Sequence, residues 1–474
     1  MTAAVKSVER DADVTVLEAD NIVGGISRTV TRGAWRFDIG GHRFFTKVPE
    51  VEKFWHQILP SDDEFLVRPR LSRIYYNGKF FDYPLQLVKA LKSLGFFETL
   101  MCGLSLMYYK VFRPKDRSTF EGWMIARFGK RLYKTFFKTY TEKVWGIPAD
   151  QLQADWAAQR IKNLSITKAI LHSIPFYESK EKVTSLIEEF LYPVKGPGMM
   201  WERAAELATS KGALISMDSP VVKVEVNNKL AVKVVFDSPE GEKQVLCDEL
   251  ISSMPLSELV RALDPKPPTD VIEAAAKLKY RDHVTVAIVV PGESSFPDNW
   301  IYVHDPRVLV GRVQNFGAWS DQMVKPGTTC LGLEYFANSS DRLWKMDEAE
   351  LVDLASNEID LLGLAKKHEI ITGFVVKMSK AYPIYDPGYS DHVRTIRDYI
   401  DQNVINLQVV GRNGMHRYNN QDHSMYTAML AVDNIYGASH DLWKVNVEEE
   451  YHEELGEIAT GRSAPIVSNT GPNS

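Results

Sequence analysis

One acidic residue stands at the end of a short apolar run near the amino terminus. The run spans residues 14–17 and is typical of a buried strand, and Glu18 follows it directly. At the carboxyl edge of a parallel sheet, a carboxylate accepts hydrogen bonds from both hydroxyls of a ribose, because its two oxygens match the two donors. A buried strand followed by a solvated acid has the same pattern, so Glu18 alone leaves both interpretations open.

Two glycine pairs follow Glu18 along the chain. The Gly24–Gly25 pair lacks Cβ atoms and lets a backbone approach a pyrophosphate, and Arg28 then offers a guanidinium. A simple turn with a surface arginine is the alternative. The Gly40–Gly41 pair precedes His42 and would let a flat ring lie close to the main chain, although a structural histidine is also common in such a place.

A third segment with chemical character lies near the other end of the chain. A short apolar strand is predicted at residues 407–411, and it ends in Gly411, which Arg412 follows. A polar loop then enters a helix near Asp422 or Ser424. A helix N-terminus offers unpaired N–H groups and a partial positive charge, which suit a phosphate or an electron-rich ring edge. A well-capped amphipathic helix, with Asp422 or Ser424 as its cap, explains the same pattern.

The elements around these residues predict an α/β fold. A short helix over residues 2–10 precedes the strand at 14–17, as in the second half of a βαβ unit. From 49 to 192 the spacing is largely helical, with runs at 85–97, 121–140 and 151–174. Strand alternation at 220–225 and 230–236 predicts a hairpin, and β-branched runs over 284–336 and 373–378 predict a second sheet. A helix is predicted over 425–435, and the last twenty or so residues are predicted to be disordered.

Composition and charge exclude several classes of protein. The chain has 474 residues, of which 45% are apolar and 25% charged, so it folds as two domains or one large interleaved one. Lys and Arg number 56 and Asp and Glu 62, and the net charge of -6 argues against a nucleic-acid partner. Three cysteines without a CxxC spacing predict an intracellular, metal-free chain.

Membrane insertion is also not expected. The first residues lack the apolar core of a secretory signal, and the apolar stretch at 95–112 is interrupted by Glu98 and Lys110. We therefore expect a cytoplasmic protein without a transmembrane segment. The aromatic residues of this stretch are predicted to pack in a core, with an apolar substrate tunnel or peripheral membrane contact as alternatives; they are Phe96, Phe97, Tyr108, Tyr109 and Phe112.

Several segments resemble known flavoproteins. VTVLEADNIVGGISRTV resembles the flavin adenine dinucleotide (FAD) motif of the amine oxidase and protoporphyrinogen oxidase superfamily, and the resemblance continues in VVKVEV, CDELISSMPL and VVGRNGMHRYNN. Other segments are similar to UDP-galactopyranose mutase, a relative in that superfamily: IGGHRFFT, YYNGKFFDYPL, TYTEKVWGIPADQL with Arg160 following, YPVKGPGMMWERAA and AYPIYDPGY. Together these segments cover most of residues 1–437, in order.

The resemblance implies a Rossmann-like FAD-binding domain built from discontinuous segments. These are residues 1–45, 195–260 and 400–445, and a helical and β-sheet substrate region takes 46–194 and 261–399. Residues 446–474 form a carboxyl-terminal extension that is expected to be a partly disordered tail. A small-molecule substrate is implied, and nothing predicts the oligomeric state.

The resemblance also implies roles for individual residues. Glu18 would hold the adenosine ribose, and the main chain of Val221 would meet the adenine. The remaining cofactor contacts are Gly24, Gly25 and Arg28 at the flavin side of the pyrophosphate, Gly40, Gly41 and His42 near the isoalloxazine, Gly411 and Arg412 at the diphosphate, and Asn420, Gln421, Asp422, Ser424 and Met425 at the ribityl chain and pyrimidine edge. No catalytic residue is assigned, and the candidates are His42, Arg160, Tyr335 and Tyr382.

Three functions are compatible with this resemblance. The first is a FAD-dependent oxidoreductase that takes a hydride from a small organic substrate, in which the cofactor carries the chemistry and no catalytic triad is needed. The alternative is a non-redox flavin isomerase of a nucleotide sugar, for which arginines and tyrosines would bind the diphosphate. A second alternative is a truncated, non-catalytic homologue.

One departure from the family concerns its first strand and GxGxxG loop. Neither is present in this sequence, since Met1 stands just after the place of the third glycine. Either the start codon lies further upstream or the chain has lost its cofactor, and the intact remaining motifs favour the first explanation. We expect the 474-residue chain by itself to bind FAD poorly or to be unstable, because the loop supplies N–H groups to the pyrophosphate.

Overall fold

A computed structural model describes residues 1–83, 85, 87–152 and 189–446. Arg160, most of the helix predicted over 151–174 and the predicted tail from residue 447 lie outside the described residues. The helices are α1 (Thr2–Val8), α2 (Pro49–Ile58), α3 (Leu87–Leu94), α4 (Phe96–Val111), α5 (Phe120–Tyr133), α6 (Thr139–Trp145), α7 (Gly198–Ser210), α8 (Leu256–Ala262), α9 (Thr269–Lys277), α10 (Phe316–Trp319), α11 (Arg342–Lys345), α12 (Glu348–Leu361), α13 (Tyr389–Asn403), α14 (Gly411–Gly414) and α15 (Gln421–Ile435).

The strands form one large sheet and several small ones. They are β1 (Thr15–Leu17), β2 (Thr29–Arg32), β3 (Trp35–Asp38), β4 (Phe65–Pro69), β5 (Ser72–Tyr76), β6 (Lys79–Asp82), β7 (Glu189–Pro193), β8 (Leu214–Ser216), β9 (Val221–Asn227), β10 (Leu230–Phe236), β11 (Lys243–Leu246), β12 (Leu250–Ser252), β13 (Leu263–Asp264), β14 (Tyr280–Pro291), β15 (Trp300–Val303), β16 (Arg312–Asn315), β17 (Thr328–Ala337), β18 (Thr372–Pro383) and β19 (Leu407–Val409).

The amino-terminal helix packs in the same core as the carboxyl-terminal helix. Strand β1 pairs in parallel with β8, and β12 pairs in parallel with β19. Helices α1, α7 and α15 share a core in which Val5, Ala204 and Ala431 are fully buried, and small residues let these helices approach closely. The same core also includes Trp55 of α2, outside the segment 1–45 that the sequence indicated. Segments far apart in the chain therefore form one layer.

The hairpin predicted at residues 220–236 is confirmed. Strands β9 and β10 pair antiparallel, and Asn228 and Lys229 take left-handed backbone angles in the turn between them. This hairpin joins β11 and β13 in a four-stranded sheet that packs against α8, α9 and α13. Strand β9 of this sheet begins at Val221. Two residues earlier, the Ser219 N–H donates a hydrogen bond to the carbonyl of Glu18.

The second predicted sheet is present, and it has seven strands in the order β18-β14-β17-β16-β15-β5-β6. Helix α12 packs on one face through Leu351, Ala355 and Ile359. Strands β4, β5 and β6 and all but the last residue of β7 fall inside the region that the sequence predicted as largely helical, so that prediction was wrong for them. Strand β5 pairs in parallel with β15, more than two hundred residues away, and this long-range pairing overrides local helical spacing.

The prediction that the aromatic residues of the stretch at 95–112 pack in a core was wrong, because most of them are exposed on helix α4. Phe96, Phe97, Tyr108 and Phe112 are exposed, with 86% of the Phe96 surface accessible, and Tyr109 is half-buried. The opposite face of α4 packs on α5 through Cys102, which is buried. The helix therefore carries apolar side chains outward.

A buried carboxyl beside β3 makes stability depend on pH. Asp38 accepts hydrogen bonds from Thr29 Oγ1 at 2.7 Å and from Tyr192 Oη at 2.5 Å. Burial raises the pKa of Asp38 to about 7, although both hydrogen bonds act in the other direction. The folded state thus retains a proton that the unfolded chain loses near pH ~4, and this contribution to stability is lost as the pH rises from about 4 to about 7.

Replacing Asp38 with asparagine should remove this contribution. We expect the free energy of unfolding of the wild type, relative to that of Asp38→Asn, to fall by about 1 kcal/mol per pH unit across this range. Urea unfolding of both proteins at several pH values measures the difference between their free energies of unfolding. The contributions of all other titrating groups are the same in both proteins and cancel in this difference. Parallel pH profiles for the two proteins would contradict a proton held on Asp38.

Candidate functional site

The first glycine pair lies beside the start of the last long helix. A short 3-10 turn, Gly25–Ser27, follows Gly24, and Ser27 Oγ donates to Gln421 Oε1 at 3.0 Å. Gln421 Nε2 in turn donates to the carbonyl of Arg43 at 3.1 Å. The N-terminus of α15 therefore meets both the segment after the first glycine pair and the segment after the second.

The helix start differs slightly from its prediction. Helix α15 begins at Gln421, four residues before the predicted 425, and Asn420 is its N-cap in a capping box with His423, in place of Asp422 or Ser424. Asp422 is buried and accepts a hydrogen bond from Thr46 Oγ1 at 3.1 Å. Ser424 Oγ donates to the carbonyl of Asn420 at 3.0 Å.

Met425 does not point toward the glycine pairs. Its Sδ receives a hydrogen bond from Trp55 Nε1 at 3.4 Å, and the side chain is buried in the core around α1, α2 and α7. Only the backbone of Met425 remains for a ligand contact. Gly411, in contrast, lies close to the start of α15: a Cβ on Gly411 would be 3.9 Å from Ser424.

The end of β1 meets the start of the β9 hairpin. The carbonyl of Glu18 accepts a hydrogen bond from the Ser219 N–H at 2.7 Å, and Val221 begins β9 two residues later. Glu18 Oε1 accepts from the Asp20 N–H at 3.0 Å. Burial raises the pKa of Glu18, although the Asp20 N–H opposes this shift. The residues predicted for the ribose and adenine are thus neighbours.

The first glycine pair has two different structural roles. A Cβ on Gly24 would lie 2.7 Å from the Trp201 ring, so packing alone requires glycine there. Gly25 has a φ of +55° and open space where a Cβ would lie. Arg28 forms an ion pair with Asp20, which holds the pKa of that carboxyl below its usual value although burial opposes this. Arg28 is therefore directed toward Asp20 beside this turn.

The second glycine pair faces the large sheet. A Cβ on Gly40 would lie 3.7 Å from His42 and 4.0 Å from the Tyr382 hydroxyl, and a Cβ on Gly41 would lie 3.2 Å from Gln314. The Tyr382 hydroxyl accepts a hydrogen bond from Arg312 at 3.2 Å. The structure thus brings His42 and Tyr382, two of the four catalytic candidates, to one place.

A charged network that the sequence did not single out lies behind Tyr382. Arg312 and Glu334 stand opposite each other on β16 and β17 and form an ion pair of 2.5 Å. Gln314 Nε2 donates to Glu334 Oε1 at 2.6 Å, and His283 lies 3.8 Å from Oε2. Burial favours the neutral acid, but the positive charge of Arg312 holds the pKa of Glu334 below its usual value.

Arg412 joins this network from α14, the short helix that follows β19. Its guanidinium lies over the rings of Tyr418 and Tyr382, at 4.8 Å and 5.2 Å from their centroids. It also donates through Nε to the carbonyl of Asn419 at 2.9 Å. Burial, reinforced by the charge of Arg412, lowers the pKa of His42 to about 3, so that His42 is neutral near pH ~7.

Tyr335 is not part of this cluster. Successive residues of a strand face opposite sides, so Glu334 and Phe336 face the Tyr382 side and Tyr335 faces α12. There it is fully buried among apolar side chains, with the Glu358 carboxyl of α12 near its hydroxyl. Two sequence patterns could have identified the charged network. They are the lone acid in the apolar run CLGLEYF and the alternating polar residues of GRVQN.

The described residues form a Rossmann-like module, with a separate seven-stranded sheet over the second glycine pair. The family model described as flavin containing amine oxidoreductase matches residues 1–391, and the chain belongs to that family.

Solved structures share the fold. A reduced UDP-galactopyranose mutase is 20% identical, with 96% of this chain and 97% of that chain covered and a TM-score of 0.80. A putative protoporphyrinogen oxidase from Exiguobacterium sp. 255-15 is 14% identical, with 92% and 96% covered and a TM-score of 0.68. Cyclohexylamine oxidase from Brevibacterium oxydans IH-35A is 14% identical, with 92% and 96% covered and a TM-score of 0.58.

The residues present fit a flavin. Beside the second glycine pair, several side-chain atoms are buried without a hydrogen-bond partner among the described residues; they include His42 Nδ1, His283 Nδ1, Arg312 Nε and Gln314 Oε1. Buried polar atoms of this kind normally find a partner, and a polar flavin edge supplies both donors and acceptors. The open space at Gly25 likewise suits a group that approaches the backbone closely.

Proposed function

We propose that this chain binds FAD and uses it to oxidise a small organic anion. The span of the candidate contacts supports FAD as the flavin, because they run from Glu18 beside Ser219 to Gly40 beside Tyr382. A carboxylate suits the ribose of an adenosine, and glycines with a helix N-terminus suit a pyrophosphate. The two ends of this span match the two halves of a dinucleotide.

The charges around the second glycine pair favour an anionic substrate. Arg312 and Arg412 carry two positive charges there, and Glu334 offsets one of them. This proposal assigns Arg412 to the substrate and not to the diphosphate contact that the resemblance implied. His42 adds no charge because its pKa is about 3. A protonated amine would be repelled by this net positive charge, whereas a carboxylate or phosphate would be attracted and bound by the guanidinium N–H groups.

The side chains of this cluster would bind and orient the substrate. Bound FAD supplies the acceptor for the hydride that leaves the substrate. Burial raises the pKa of Tyr382, so its hydroxyl stays protonated, and its oxygen already accepts from Arg312. The hydroxyl proton is therefore left to donate to a substrate anion. The stacked rings of Tyr382 and Tyr418 exclude water from this side.

The experiment is anaerobic reduction of the flavin by candidate substrates. The natural protein, loaded with FAD, is mixed with small carboxylates, phosphorylated alcohols and neutral or cationic amines, with no added reductant. We expect the yellow absorbance to bleach with an anionic compound and not with the cationic amines. Bleaching by amines alone would contradict an anionic substrate, and no bleaching by any compound would count against an oxidoreductase.

Tyr382 provides a prediction with a matched control. Replacing Tyr382 with phenylalanine removes the hydroxyl beside Gly40, and we expect kcat/KM for the bleaching substrate to fall about tenfold or more, since one charge-assisted hydrogen bond is lost. Tyr335→Phe is the control, because Tyr335 lies on the other face of β17. Equal effects of the two substitutions on kcat/KM would contradict the proposed role of Tyr382.

A second candidate function is the isomerisation of a nucleotide sugar. The pairing of Arg312 and Arg412 with Tyr382 and Tyr418 in one cluster favours it, because a sugar diphosphate needs such groups. Titration of the oxidised and the reduced protein with a uridine diphosphate sugar tests it. Tight binding only to the reduced protein, without net flavin bleaching, would favour the isomerase, and weak binding to both forms would exclude it.

A further inference from the structure

Helix α4 exposes an apolar face, whereas a surface helix usually exposes a polar one. Its side chains at intervals of three, four and seven residues form one continuous exposed stripe, and every member is apolar or glycine. Val111 is 74% exposed and Met107 is 67% exposed. The stripe, called here the α4 stripe, consists of Phe96, Phe97, Leu100, Gly103, Leu104, Met107, Tyr108, Val111 and Phe112.

Two polar side chains of α4, Glu98 and Ser105, instead contact α5. Glu98 forms an ion pair with Arg131 of α5 at 2.6 Å, and Ser105 Oγ accepts a hydrogen bond from the Arg131 N–H at 3.1 Å. These contacts fix the rotation of the helix, so the α4 stripe cannot turn inward without breaking them. Soluble proteins rarely expose a contiguous apolar patch of this length, and such patches mark interaction sites.

The surroundings of the stripe carry an unusual charge. Residues 110–138 contain nine basic and two acidic residues, although the whole chain has a net charge of -6. Lys110 lies within the last turn of α4, Arg113, Lys115 and Arg117 follow the end of the stripe, and all four are exposed. An apolar helix face with a dense basic flank is complementary to a surface that is apolar inside and negative at its rim.

We propose that the α4 stripe docks this protein on an anionic lipid surface. The apolar side chains enter the boundary between headgroups and acyl chains, and the basic flank of residues 110–117 contacts the negative headgroups. Helix α4 has 16 residues, and no helix among the described residues is long and apolar enough to cross a bilayer. The helix therefore lies in the plane of the surface.

Charge favours lipid over a second copy of the chain. In a symmetric dimer that buries the same stripe on both copies, the two basic flanks would lie near each other and repel. A membrane with anionic lipids removes this conflict, because the partner carries the opposite sign.

Vesicle sedimentation with the natural full-length protein tests the proposal. The vesicles contain phosphatidylcholine alone or an equal mixture of phosphatidylcholine and phosphatidylglycerol. We expect binding to the mixed vesicles, weaker binding at high salt and at least about tenfold weaker binding to phosphatidylcholine alone.

Two variants with a matched control separate the apolar and the electrostatic parts. Leu104→Glu with Met107→Glu should abolish binding to the mixed vesicles, and Arg113→Gln with Lys115→Gln should weaken it about tenfold. The control is Leu246→Glu with Ile405→Glu, which changes two exposed apolar residues away from α4 and should bind as the wild type does.

Three results would overturn the proposal. The first is the absence of binding to either kind of vesicle. The second is a dimer in solution that Leu104→Glu with Met107→Glu converts to a monomer, with no vesicle binding, which would make the stripe an interface between two copies. The third is a fall in melting temperature for this variant much larger than for the control, which would mean that the stripe packs against the chain itself.

Discussion

Replacing Glu334 with glutamine is expected to lower the free energy of unfolding by about 3 kcal/mol. Glu334 is fully buried and forms the ion pair with Arg312 at 2.5 Å, so the substitution leaves a largely buried guanidinium without its counter-charge. The Gln314 amide also loses its charged acceptor. Denaturant unfolding of the wild type and the variant measures this effect.

Two further variants test the physical cause. Glu273→Gln changes an exposed acid on α9 and should alter stability by less than about 0.5 kcal/mol. Arg312→Met with Glu334→Leu removes both charges, and we expect most of the lost stability to return because no unpaired charge remains. If this double variant is as unstable as Glu334→Gln, the loss comes from packing and not from the ion pair.

Replacing Gly25 with valine is expected to weaken FAD binding about a hundredfold. The Cβ and methyl groups would fill the open space where the backbone approaches the cofactor, and the left-handed φ of +55° is unfavourable for a β-branched residue. The variant should therefore retain its fold with some loss of stability while it loses flavin. Titration of the apoprotein with FAD measures the dissociation constant.

Gly363 is the matched control for backbone strain. It follows α12, has a φ of +70° and also has open space where a Cβ would lie. Gly363→Val should cost a similar amount of stability and leave the affinity for FAD unchanged. An equal loss of FAD affinity in both variants would mean that general destabilisation, and not the cofactor contact, explains the effect of Gly25→Val.

The sequence predicted features that depend on local residues. The turn between β9 and β10 was predicted from Asn227 and Asn228 between two alternating strands, and the structure places it at Asn228 and Lys229. The small residues of α1 indicated its close packing. Glu18 and the glycine pairs were proposed as cofactor contacts because local residues carry that chemistry, and this assignment stays a prediction. The helix start was predicted from local residues near Asp422 or Ser424, although the helix begins at Gln421 and the cap is Asn420.

The features that could not be predicted from the sequence depend on the register of paired strands and on pairing between strands far apart in the chain. Glu334 faces Arg312 only because β16 and β17 pair in one register, which no local pattern reveals. Tyr335 was chosen in place of its neighbour Glu334, and a shift of one residue along a strand reverses the face. The strand β5 was read as part of a helical region because its partner β15 lies far along the chain.

The central claim is that separated segments of this chain converge on one FAD. The most direct measurement is the flavin content of the natural protein after purification and, where needed, after reconstitution with excess FAD, with the released cofactor identified by chromatography. At saturating FAD we predict one FAD per chain, even where the affinity of the 474-residue chain is low, and we expect the yellow absorbance and the affinity to be reduced further in Gly25→Val. A colourless protein that does not take up FAD, or one that binds only flavin mononucleotide, would contradict the account.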